Sequence, residues 1–64
     1  MRLTTEDIIK QKLLDAQENV RDYQEYSGIV NDREVDVIFK EFAEQSALQA
    51  QKLQSLLNKY GEMK

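Results

Sequence analysis

Tyr26-Ser27-Gly28-Ile29-Val30-Asn31-Asp32-Arg33-Glu34-Val35 is the stretch that decides the fold. Gly28 closes one amphipathic run and can take the left-handed conformation that ends a helix, with Ile29 folding back onto the last turn. Asn31 then offers a side-chain oxygen to cap a second helix, and Glu34, three residues on, completes a capping-box pattern. Val30 and Val35 flank that cap with the spacing of a hydrophobic staple. A connection this short makes the two helices antiparallel neighbours. The expectation is all-α: an antiparallel helical hairpin with helices at about 5–27 and 32–60, in one domain over 1–64.

Working outward toward the N-terminus, the apolar stripe reads Ile9, Leu13, Ala16, Val20, Tyr23, closed by Ser27, with alternating spacings of four and three. Thr4 or Thr5 starts this helix, and Glu6 and Asp7 suit the positive end of its dipole. Ile8, Leu14 and Tyr26 lie off the stripe and widen the apolar surface beyond one seam. Toward the C-terminus the inward stripe is Val35, Phe39, Phe42, Ser46, Ala50, Leu53, Leu57, Tyr60. Acids crowd the first half of this helix, whereas Lys52 and Lys59 sit in the second, an order that matches its dipole. Asp36, Lys40 and Glu44 follow one another at single-turn spacing on what reads as an exposed face. Ala43, Ser46, Ala47 and Ala50 make a patch of small residues that either permits close helix approach or simply favours helix. Folding at 28–31 sets Val20 near Phe39, Ala16 near Phe42, Leu13 near Ser46 and Ile9 near Ala50.

Composition bounds the function. The chain has no Cys, His, Pro or Trp, so it carries no disulfide framework, thiolate metal site, Ser-His-Asp triad or Cys-His pair. Two glycines cannot build a phosphate-cradling loop. A net charge of −3 with scattered lysines argues against nucleic acid or an anionic membrane as partner. Apolar runs such as Val37-Ile38-Phe39 are too short to span a bilayer, and Met1–Thr5 lacks the apolar core of a secretory signal. The expected setting is cytoplasmic. No catalytic, cofactor-binding or metal-ligating residue is assigned: Glu18, Asp22, Glu41 and Glu44 fall on outer positions, and Tyr23 and Tyr26 read as packing residues with wet hydroxyls. The chain is not expected to be an enzyme.

The stretch Ile38-Phe39-Lys40-Glu41-Phe42-Ala43-Glu44-Gln45-Ser46-Ala47-Leu48-Gln49-Ala50-Gln51-Lys52-Leu53 resembles the ligand-bearing helix of rubrerythrin-type ferritin-like proteins, and the chain looks equally like half of a spore-coat-type ferritin-like protein. The resemblance implies a helical bundle. It would place di-iron ligands at Ala16, Ser46 and Gln49, none of which retains metal chemistry.

The resulting expectation is a structural or protein-interaction module that dimerises into a four-helix bundle, because one hairpin seam buries too little to order the chain alone. Leu14, Ile38, Leu53, Leu56, Leu57 and Tyr60 are the candidate packing interface. Ser46 and Gln49 are a candidate polar layer that fixes register, weighed against the favoured reading that Gln49 sits at the boundary and reaches water. Another helical protein is an alternative partner. A degenerate ferritin-like bundle that still binds metal or a small ligand, or a spore-coat-like structural protein, is the alternative function.

Overall fold

The computed structural model describes residues 2–62 and contains two helices, α1 (Thr5–Ser27) and α2 (Arg33–Glu62), packed against each other. α1 begins with a reciprocal cap. The Asp7 backbone N–H donates to the Thr4 hydroxyl at 3.1 Å, and the Thr4 N–H donates to the Asp7 carboxylate at 3.1 Å. Two donors left over by the helix start are thereby satisfied at once.

The turn differs from its sequence reading in three respects. Gly28 is right-handed, at φ −76° and ψ −15°, and no described residue has positive φ. The chain ends α1 by tightening instead: Gly28 N–H donates to Glu25 O, and Ile29 and Val30 N–H both donate to Tyr26 O. Ile29 is exposed rather than folded onto the last turn, and Val30 is the half-buried one. Asp32, not Asn31, caps α2: its carboxylate accepts the Val35 N–H at 3.1 Å and its carbonyl accepts the Asp36 N–H at 3.0 Å. Moving the cap by one residue removes both the Asn31–Glu34 box and the Val30–Val35 staple spacing.

These details set the register. Tyr23 packs its ring between Phe39 and Phe42, at centroid distances of 5.3 and 5.4 Å. Val20 accordingly lines a cleft with Ala43 and Ala47, about one helical turn further along α2 than the Phe39 level at which the simple fold-back at 28–31 sets it. The shift carries Leu57 and Tyr60 back toward the first turn of α1, and both are half-buried.

The core is narrow. Ile9, Leu13, Ala16, Ala43, Ser46 and Ser27 are buried, with the Ser27 hydroxyl donating to Gln24 O at 2.9 Å. Ala16, Ala43 and Ser46 are small, which permits close approach of the helices at mid-length. Phe42, expected inward, sits at the rim at 38% exposure, and no large side chain among the described residues is fully buried. The molecule measures 48 × 24 × 12 Å, a slab one helix thick.

Candidate interaction surface

A slab of two helices has two flat faces, and the structure makes them chemically unequal. The cleft on one face is lined by Val20, Gln24, Lys40, Ala43, Glu44 and Ala47 and encloses about 310 Å3. Lys40 is ion-paired there to Asp36 at 3.2 Å and does not reach forward to Glu44. The cleft on the opposite face, about 220 Å3, is lined by Asn19, Tyr23, Phe42, Gln45, Ser46 and Gln49. Each residue of an α-helix turns about 100° from the last, so Val35, Ile38, Leu53, Leu56 and Tyr60 fall on the same side of α2 as Phe42 and Gln49. Ile8, Lys12, Asp15, Asp22 and Tyr26 fall on the same side of α1 as Asn19. The exposed large apolar side chains on this second face are Ile8, Tyr26, Ile38, Phe42 and Leu56, whereas Leu14, Val37 and Leu48 are exposed off it.

Of the six packing residues expected from sequence, Ile38 and Leu56 are exposed on this face, while Leu53, Leu57 and Tyr60 are half-buried at the border between face and seam. Leu14 is not brought together with them. It lies two residues before the buried Ala16, on the outer edge of α1, and is 59% exposed. Ser46 and Gln49 line the same cleft but differ in burial: Ser46 is buried, whereas Gln49 is exposed. Sequence reasoning did not assign Ile8, Tyr26 or Phe42 to a common surface. Their positions around each helix were readable, but joining them across helices needs the register that the Tyr23 ring contacts supply.

A third depression, at the turn, is lined by Asn31, Asp32, Arg33 and neighbouring side chains. Asp36 Oδ1 lies buried close by without a hydrogen-bond partner, its other oxygen being held by Lys40. Among the described residues no group of three His, Cys, Asp or Glu side chains comes together as a metal site would require, and no helix is long and apolar enough to cross a membrane. Ala16, Ser46 and Gln49 present a methyl, a hydroxyl and an amide.

No protein-family model matches the chain, and neither a curated protein nor a solved structure is similar to it.

Proposed function

We propose that this hairpin is a non-catalytic structural or interaction module that works by self-association, two copies closing into an antiparallel four-helix bundle. The observation that carries the reading is surface. The hairpin exposes 5395 Å2, roughly a quarter more than the ~4,250 Å2 expected of a compact folded chain of 7.5 kDa. Its radius of gyration is 14.7 Å, against about 11 Å for a globular chain of this length. A second copy supplies the missing layer with no further sequence, and a two-fold arrangement leaves no open end for fibre growth.

The ferritin-like resemblance accords with this scaffold role, since half a bundle is what such a hairpin would be, and Ala16, Ser46 and Gln49 offer packing and amide contacts rather than metal ligands.

Sedimentation at micromolar protein tests the reading. The expected result is a mass of about twice 7.5 kDa and a helical melting midpoint that rises with concentration, because folding linked to association depends on protomer concentration. A cooperatively melting monomer with a fixed midpoint overturns it.

A further inference from the structure

We infer that the surface joining the two copies is the face bearing Phe42 and Gln49, and that one two-fold axis pairs α2 with α2 and α1 with α1 of the second copy. This rests on the self-association reading above and specifies its geometry.

Contacts across the seam fix which residues of the two helices stand level. Tyr23 lies between Phe39 and Phe42, and Asn19 shares its cleft with Gln45 and Ser46, so equal climbs along each helix bring Gln17 of α1 level with Ala47 of α2. A two-fold axis at that height, perpendicular to the helices, relates residues equally far before and after Ala47 on α2. Ile38 then meets Leu56, Phe42 meets Leu53, and Gln45 meets Gln49, each pair matched to within one residue. Val35 meets Tyr60 to the same tolerance. Apolar groups face apolar groups, and the amides face each other at the centre, where each can donate and accept.

Charge follows the same symmetry. Glu34, Glu41, Lys52 and Lys59 lie on one flank of this stripe, at the outer edge of α2, and none of them is ion-paired among the described residues of the hairpin. The axis at Ala47 sets Glu41 against Lys52 and Glu34 against Lys59 of the second copy. Opposite charges placed in this way steer an interface and fix its register.

α1 supplies an independent check, because its pattern was not used to place the axis. About Gln17, the residues of the same face pair as Ile8 with Tyr26, Lys12 with Asp22, and Asp15 with Asn19, with no residual offset. Ile8 and Tyr26 are about half exposed in the single hairpin. Asp22 makes no ion pair among the described residues, and Lys12 holds only the neighbouring Asp15, at 3.5 Å. The face measures 48 × 24 Å, on the order of 1,000 Å2, comparable with the ~800 Å2 per partner of a stable interface. The opposite face lacks this match: about the same level its Lys40 would meet Gln54 and its Glu44 would meet Ala50, so neither charge finds an opposite one.

The absence of cysteine gives a clean background for cross-linking. Ile38→Cys and Leu56→Cys are prepared separately, mixed under denaturant, refolded and oxidised. The expected product is a 38–56 disulfide-linked pair from the mixture. Neither variant alone should cross-link, since like positions lie about 27 Å apart along the bundle, at 1.5 Å per residue. In parallel, Lys12→Glu and Asp22→Lys should each raise the dimer dissociation constant about tenfold through like-charge repulsion at two symmetric sites, and the double exchange should restore it. A dimer by sedimentation that gives no 38–56 cross-link and no rescue overturns this geometry while leaving self-association intact. A monomer by sedimentation overturns both.

Discussion

At Gly28 the added Cβ of alanine would meet only Glu25 O, at 3.5 Å, an ordinary contact, and the backbone is already in the region that alanine favours. Gly28→Ala therefore removes unfolded-state freedom without adding strain, and a gain of about 0.4–1 kcal/mol is expected, a rise of several degrees in the thermal midpoint. A clear loss would mean that Gly28 visits positive φ after all. The two neighbouring cap candidates invite a paired test. Asp32→Ala should cost about 1 kcal/mol because it orphans the Val35 N–H, whereas Asn31→Ala, with no such bond to lose, should move the midpoint little; reversed effects would place the cap at Asn31. Sequence could locate the break but not its chemistry. Gly28 permits both hands of helix, and Asn31 and Asp32 are equally good caps. What distinguishes them is the hydrogen bonding of the turn: the Ile29 and Val30 N–H groups converge on Tyr26 O, and the Asp32 carboxylate accepts the Val35 N–H.

Between elements, the aromatic contact of Tyr23 with Phe39 and Phe42 sets which residues share a level. Its tilted and edge-on geometries at 5.3–5.4 Å are those that add energy beyond burial. A double-mutant cycle on Tyr23→Leu and Phe39→Leu should show a coupling of about 0.5–1.5 kcal/mol, while Val20 with Phe39, the pair suggested by folding the sequence back on itself, should couple negligibly. Equal coupling in both pairs would return the register to the sequence-based one. The helices themselves were legible from apolar period: Ile9, Leu13, Ala16 and Ser46 are buried where the stripes put them. The register was not. A shift of one turn keeps every stripe on its face and changes only the partners, so periodicity carries no information about it.

For the whole molecule, length and stripe width suggest the proposed self-association, but they do not say which face a second copy would cover, because a face spans two helices. Leu14 shows why. In the sequence it reads as one more leucine off the seam, equivalent to Ile38; around the helix it lies on the far edge of α1, away from Phe42 and Gln49. The proposed scaffold role gives chelator no ligand set to strip, so EDTA should leave the melting curve unchanged, and a stoichiometric bound transition metal would favour the ferritin-like alternative. The sharper test contrasts two leucines of the same chain. Leu53→Asp puts a carboxylate at the border of seam and face, where a second copy would remove its water. With a cost of about 2 kcal/mol or more for an unpaired polar group, the midpoint should fall by roughly 10 °C and the population should shift toward monomer. Leu14→Asp adds the same charge to the same slab at a position already 59% exposed, and it should alter neither mass nor midpoint by more than the half kcal/mol or so typical of a surface change. If Leu14→Asp dissociates the dimer as readily as Leu53→Asp, the copies meet across the outer edge of α1, and the flat face beside Phe42 is not what holds them together.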